Sequence, residues 1–130
     1  MAIFTISLDT DFEEFWRYNL VVMAQVMRAG EQLEILKHRS EIAPVGAELR
    51  EPPKGYVAER DVVLRSGDAD ALVLYIYVIP HTLPRVTHTN DAPPFELRVK
   101  VKHGTTNVYS HRHMINQWSG DNIAIDIDAN

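Results

Sequence analysis

The side chains best suited to chemistry in this sequence are two histidines, His111 and His113, separated by one residue. On an extended strand, residues two apart point to the same face, so both imidazoles would face one way. Imidazole is a common zinc ligand, and this pair would supply two of the four ligands that zinc takes. A third ligand could come only from a distant histidine, for which the sequence offers His81, His88 or His103.

The segment around this pair resembles the first motif of cupins, which are jelly-roll proteins with a similar His-x-His pair. It covers residues 104–117, from Gly104 to Gln117. Gln117 stands where that motif has a metal-ligating Glu, and the 13 residues that follow it are too few for the family's second motif and third His. We therefore expect His111 and His113 to be polar residues on an outward strand face, with a zinc site as the alternative.

Acidic residues of the predicted loops form a second candidate site. Carboxylates that meet at one end of a sandwich can bind Ca²⁺ through oxygen ligands, as in the general plan of C2-type or lectin-type sandwiches. No loop has the EF-hand spacing, and aspartate also commonly begins turns. Turn formation is therefore the simpler interpretation of this set, which consists of Asp9, Asp11, Asp68, Asp70, Asp91 and Asp121.

Enzyme motifs are missing from the sequence. There is no cysteine, which excludes thiolate catalysis and disulfides. No stretch matches a nucleophile elbow, a P-loop or a dinucleotide fingerprint. Because no motif around a serine would activate its hydroxyl, we expect a non-catalytic protein with no resident cofactor.

Size and charge limit the class of protein further. A chain of 130 residues is the size of one domain, so we expect a single domain spanning residues 1–130. The net charge is −5, from 13 Lys and Arg against 18 Asp and Glu, which argues against nucleic-acid binding. The N-terminal residues have no basic, apolar secretory pattern and no run is long enough to span a bilayer, which predicts a cytoplasmic protein.

The strongest strand signal lies at residues 71–79, ALVLYIYVI, where both alternating sets are apolar. This pattern predicts a strand with little solvent on either face. Pro80 should end it, because proline has no amide hydrogen for the sheet. Residues 95–101, FELRVKV, alternate apolar with charged residues and predict a half-buried strand.

The long crossing between Pro80 and Pro94 is our first candidate for a binding surface, because it is polar and ordered by its prolines. A tryptophan beside the predicted turn at Ser119-Gly120 is the other candidate. Together these binding-surface residues are His81, Arg85, His88, Asp91 and Trp118.

Residues 11–29 are ambiguous. Laid on a helix, their apolar residues fall in one broad arc. Thr10 with Glu13 fits a capping box, and Gly30 fits a helix end. We favour this helix over the rival, which is a turn through 11–16 followed by a strand over 18–27 and a hairpin at Ala29-Gly30.

Seven or eight strands at regular spacing predict a mainly β domain, an antiparallel β-sandwich with a C2-like, jelly-roll or Ig-like plan. The helix would either pack on this sandwich or give an α+β fold with a curved antiparallel sheet around it. That α+β fold would allow a hot-dog thioesterase, with Asp9 or Asp11 as its acidic residue. Our leading hypothesis is a non-catalytic binding or interaction module with a protein partner or self-association, and the other alternative is a protein that depends on Ca²⁺ or Zn²⁺.

Overall fold

The computed structural model describes residues 2–55, 61–84 and 92–129, which form two four-stranded antiparallel sheets. The strands are β1 (Ala2–Asp9), β2 (Tyr18–Arg28), β3 (Glu31–Ser40), β4 (Asp61–Ala69), β5 (Ala71–Pro80), β6 (Phe95–His103), β7 (Thr106–Ile115) and β8 (Asp121–Asp128). The first sheet has the order β4-β1-β6-β7 and the second β3-β2-β5-β8. The predicted antiparallel β-sandwich is therefore confirmed. None of the helices in the described residues is long and apolar enough to cross a membrane.

The hydrophobic core lies between the two sheets, because every second residue of a strand points to the same side. In β6 the alternation predicted from the sequence is confirmed, with Phe95, Leu97, Val99 and Val101 all buried. In β8 the three isoleucines at 123, 125 and 127 point inward and are 7–8% exposed. Each buried aliphatic side chain contributes about 1.5–3 kcal/mol, so this interior supplies most of the driving force for folding.

The two faces of β5 differ more than its sequence predicts. Its inward residues, Leu72, Leu74, Ile76 and Val78, are at most 1% exposed. Its outward residues, from Val73 to Ile79, keep part of their surface exposed. The prediction of little solvent on either face therefore holds for the inner face, whereas the outer face is only half-buried.

The helix favoured for residues 11–29 is wrong. A single 3₁₀ turn, Phe15–Arg17, precedes β2, and this 11-residue strand pairs with β3 on one side and β5 on the other. β2 is apolar on both faces, which gave it the helix-like pattern, but its β-branched residues suit a pleated sheet better than a helical turn. Without that helix, the α+β fold and the hot-dog arrangement lose the element on which they depended.

The turn between β2 and β3 is the predicted hairpin at Ala29-Gly30. Both residues have a positive φ, 51° at Ala29 and 81° at Gly30, as a type I′ turn requires. Glycine adopts this conformation without strain, whereas an alanine there costs about 1–2 kcal/mol. The turn is held from outside by the carboxylate of Asp70, which accepts a hydrogen bond of 2.9 Å from the Ala29 amide.

Asp70 is also the only residue between β4 and β5. At this crossing a single residue therefore connects the first sheet to the second. Its amide donates to the Met27 carbonyl at 3.0 Å, and its carbonyl accepts from the Ala129 amide at 2.9 Å. This corner therefore joins β2, β5 and the residue after β8 through one 9% exposed side chain and its backbone.

The longer connections gather at the other end of the sandwich. The end of β1 lies beside the start of β6, where Asp9 pairs with Arg98, and the start of β2 lies beside the end of β5, where Tyr18 pairs with Pro80. Because the strands are antiparallel, all the other connections between the two sheets lie at this same end. We name this region the loop end. Its described residues are 10–17, 41–55, 81–84, 92–94 and 116–120, whereas the opposite end has the tight turns at 29–30 and 104–105 and the Asp70 corner.

Candidate functional site

A cavity of about 690 Å³ opens at the loop end. Residues 45–50, which follow β3, form one side of it, and residues 80–84, which begin with the last residue of β5, form the other. Pro80 ends β5 as the sequence predicts. Beyond β3 the chain makes a turn in which the Ala47 amide donates to the Pro44 carbonyl at 3.1 Å, with Gly46 at a φ of 94°. A glycine with positive φ in this position is the requirement of a type II turn.

Asn19 of β2 fixes the start of the 41–50 segment. Its side-chain amide donates to the Ala43 carbonyl at 2.7 Å, and its carbonyl oxygen accepts from the Ile42 amide at 2.7 Å and the Ala43 amide at 3.3 Å. A buried amide that makes three bonds to backbone holds the segment in one place. This wall of the cavity is thus anchored to the sheet.

His81 and Thr82 form the inner side of the cavity and are 2% and 4% exposed. His81 Nε2 lies 2.7 Å from the Trp16 carbonyl, which can only accept, so Nε2 carries a hydrogen. Nδ1 lies 2.7 Å from the Thr82 hydroxyl. That hydroxyl also contacts the Ala47 carbonyl at 3.0 Å and accepts from the Leu49 amide at 3.3 Å. Burial lowers the pKa of His81, because a charged imidazolium loses its hydration there.

The backbone at this point adds two further bonds. The amides of His81 and Thr82 both donate to the Arg17 carbonyl, at 3.0 and 3.3 Å. His81 therefore ties three connections of the loop end together. It was predicted as part of a binding surface, and the structure places it in the lining of the cavity, buried and with both ring nitrogens engaged.

The other predicted binding-surface residues have different positions. Arg85, His88 and Asp91 lie outside the described residues. Trp118 is half-buried, and its indole nitrogen is buried with no hydrogen-bond partner among the described residues.

Arg17 is a buried cation that sequence reasoning missed. It is 3% exposed, and its Nη2 donates to Gln117 Oε1. The guanidinium carbon lies 5.5 Å from the ring centre of Phe12 and 5.4 Å from that of Tyr18, within the range of cation–π attraction. Its Nε is 3.7 Å from Glu14 Oε2, an ion-pair distance too long for a hydrogen bond. Within the described part of the chain, Nε and Nη1 make no hydrogen bond.

Gln117 completes this network. Its side-chain nitrogen donates to the Pro93 carbonyl at 2.7 Å, and its backbone carbonyl accepts from the Tyr18 hydroxyl at 2.7 Å. Burial raises the pKa of Tyr18 to about 12. The sequence carried a signal for Gln117 only as the residue that departs from the cupin motif. In the structure it links β2 to the turn before β8, 100 residues away from Arg17.

The expectation that the histidine pair lies on an outward strand face is wrong. On β7, His113 pairs with Leu97 and His111 with Val99, and both partners are buried in the core, so the two histidines are on the core side of this edge strand. The ring centres of His111 and His113 are 4.6 Å apart and nearly perpendicular, at 74°. His113 Nε2 is 2.9 Å from the Tyr109 hydroxyl, and burial followed by the His111 charge lowers the pKa of His113. Among residues 2–55, 61–84 and 92–129 no three His, Cys, Asp or Glu side chains are grouped to hold a metal. His103, one suggested third ligand, instead contacts the Ala69 carbonyl at 2.8 Å.

The acidic residues suggested for calcium are divided between the two ends of the sandwich, and Asp121, which pairs with Val78, is at the loop end. Asp9 and Asp11 are at the loop end, where Arg98 binds Asp9 at 2.6 Å and Asp11 at 3.0 Å. Asp68 pairs with Ile3 at the opposite end of the sandwich, beside the Asp70 corner. Asp91 lies outside the described residues.

Comparisons with protein-family models, with curated proteins and with solved structures found nothing that matches this chain. The loop end and its cavity are therefore the basis for assigning a function.

Proposed function

We propose that this chain is a cytoplasmic, non-catalytic binding module that takes its ligand in the cavity of the loop end. The observation that carries the proposal is the cavity of about 690 Å³ between two connections fixed by buried side chains. Ligand sites of proteins fall at roughly 300–1,000 Å³. Loops held by a rigid sheet scaffold are also where binding residues are commonly found.

The rim of the cavity indicates what it would bind. Val45 is 72% exposed and Leu83 is 54% exposed, although both are apolar. Glu48 and Arg50 add one charge of each sign to the lining. Exposed apolar side chains at the rim of a cavity can pack against an apolar side chain of a partner protein. The expected ligand is an apolar side chain of a partner protein.

A catalytic role for this cavity has little support from its side chains. A general base must have a nitrogen or oxygen within reach of the proton that it removes. His81 has its Nε2 on the Trp16 carbonyl and its Nδ1 on Thr82, and it is 2% exposed. These contacts suit a residue that positions the loops, which is why we prefer binding to catalysis.

A fluorescent dye with an apolar ring system and one sulfonate group, 8-anilinonaphthalene-1-sulfonate, can probe the cavity before any partner is known. We expect titration of the ¹⁵N-labelled protein to shift the amide signals of residues 45–50 and 80–84. Leu83→Asp and Val45→Asp should each weaken dye binding about tenfold, a loss of about 1.4 kcal/mol, because they place a charge at the apolar rim.

Met114→Asp is the matched control, since Met114 is 58% exposed and lies on β7, away from the cavity lining. It should leave dye binding unchanged. Equal losses in Met114→Asp and Leu83→Asp, or amide shifts confined to other parts of the chain, would contradict the proposal.

A further inference from the structure

The outward face of the β3-β2-β5-β8 sheet carries an apolar surface that the cavity does not use. We name it the outer face. We propose that a second copy of this chain docks on it, so that two outer faces pack against each other across a twofold axis. This interface is separate from the loop-end cavity and does not depend on the function proposed for it.

The centre of the outer face is formed by apolar side chains from the two middle strands. The register places Met23 of β2 beside Tyr75 of β5, and Val21 beside Tyr77. On the flanking strand β3, Leu33 and Ile35 are 49% and 41% exposed. The remaining members of this apolar group are Met27, Val73 and Ile79. Contiguous apolar patches of this kind on a protein surface mark sites of association.

The size of the outer face is close to what a stable dimer needs. Four strands about 4.8 Å apart and ten residues long, at about 3.3 Å each, span roughly 600 Å², and β5 has that length of ten residues. Side chains that project from the sheet add to this planar area. A standard interface buries about 800 Å² on each partner. The area of two outer faces packed together is therefore sufficient for a stable dimer without contacts from the loop end.

The charges at the two edges of the outer face indicate that its partner is a second copy of this chain. Lys37 lies on the outward side of β3 and is exposed, whereas Asp126 lies on the outward side of β8, also exposed. The same cross-strand row contains Ile35, Gln25, Val73 and Asp126, and Lys37 occupies the next row. The outer face thus carries a cation, Lys37, on its β3 edge and an anion, Asp126, on its β8 edge.

A twofold axis that lies in the plane of the face, between β2 and β5, turns one copy onto the other. This operation places the β3 edge of each copy opposite the β8 edge of its mate. The edge that carries Lys37 and the edge that carries Asp126 then meet twice, once on each side of the axis, and the apolar centres meet in the middle. Self-complementarity of this type is what a twofold interface requires, and it favours a second copy over an unrelated partner.

Sizing by analytical ultracentrifugation tests this dimer. We expect the purified chain to be a dimer at about 100 µM, and Tyr75→Lys to shift it to monomer. Val73→Lys is a second variant of the same face, and far-UV circular dichroism checks that both remain folded. Val63→Lys, on the outward side of β4 in the other sheet and 46% exposed, is the control and should remain dimeric.

Charge reversal distinguishes this arrangement from other dimers. Lys37→Glu and Asp126→Lys should each weaken dimerisation about tenfold, because each variant places like charges together at both edges. The double variant restores the opposite charges, so its dissociation constant should return to within about threefold of the wild type. A monomeric wild type, a dimer indifferent to Tyr75→Lys and Val73→Lys, or a double variant no tighter than the single ones would each overturn the proposal.

Discussion

Replacement of Gly120 by alanine is the most decisive stability test of the loop end. Gly120 follows the Arg17–Gln117 network, and its amide donates to the Asn116 carbonyl at 2.8 Å. Its φ is 66°, in the left-handed region. A methyl group added there would lie 2.0 Å from the Val78 carbonyl oxygen and 2.8 Å from Pro80 Cδ. The obstacle is the end of β5, which cannot rotate away as a side chain can.

The size of the effect follows from two separate costs. The left-handed conformation costs an alanine about 1–2 kcal/mol. The overlap costs about 1–3 kcal/mol more, as for overpacked interiors, because ordinary contact begins near 3.4 Å and the added carbon is at 2.0 Å. Gly120→Ala should therefore lower the free energy of unfolding by about 2–5 kcal/mol. Gly30→Ala is the matched control, since Gly30 has a φ of 81° and no atom within 4 Å of the added carbon.

Urea denaturation followed by tryptophan fluorescence measures both variants. Gly30→Ala should lose only the conformational cost of about 1–2 kcal/mol, so the two should differ by at least about 1 kcal/mol. A smaller difference would mean that β5 and the 116–120 turn do not meet as described, and the geometry of the loop end would have to be revised.

The remaining predictions concern the opposite end, one buried histidine and one candidate metal site. Ala29→Asn should raise the free energy of unfolding by about 0.5–1 kcal/mol, because asparagine tolerates the left-handed conformation; thermal melting measures it. Asp70→Ala should lower the same quantity by about 1.5–3 kcal/mol, whereas Asp70→Asn, which keeps an acceptor for the Ala29 amide, should lose less; urea denaturation separates them. Because the pKa of His81 is lowered in the folded protein, the unfolded chain takes up a proton at this histidine at a higher pH than the folded one. The contribution of neutral His81 to stability is therefore complete above about pH 6.5 and falls as the pH drops below that value. His81→Gln should flatten this slope, by at most about 1.4 kcal/mol per pH unit, and an unchanged slope in a pH series would refute the assignment. Added zinc should leave the melting temperature of the wild type and of His111→Ala equally unchanged, since two imidazoles alone make a weak zinc site.

The strands could be predicted from the sequence wherever one face is apolar and the other polar. β6 and β8 have this alternation, and their inward residues were identified correctly. β2 was mistaken for a helix because Val21 and Met23 are apolar on the face away from the core. Pairing with β3 on one side and β5 on the other decides the conformation of β2, and pairing over such separations leaves no local signal.

The candidate site was less predictable for the same physical reason. His81 looked like a surface residue because it follows a strand in a polar segment. It is buried by bonds to Trp16, 65 residues earlier, and its neighbour Thr82 bonds to Ala47, 35 residues earlier. Arg17 and Gln117 meet across 100 residues. Contacts of this kind depend on which connections share an end of the sandwich, which strand spacing alone does not determine.

The single-residue corner at Asp70 has a consequence for how this chain can change its sequence. One residue inserted between β4 and β5 would shift the register of β5 by one, turning Leu72, Leu74 and Ile76 outward. In the loop end, by contrast, doubling the length of a connection costs only about 0.6 kcal/mol in closure entropy. Insertions near residues 46–50 would therefore change the cavity without changing the strand register. Changes in loop length are therefore tolerated at the loop end, whereas the Asp70 corner at the opposite end fixes the strand register. The loop end is the region to vary when new binding specificities are selected on this scaffold.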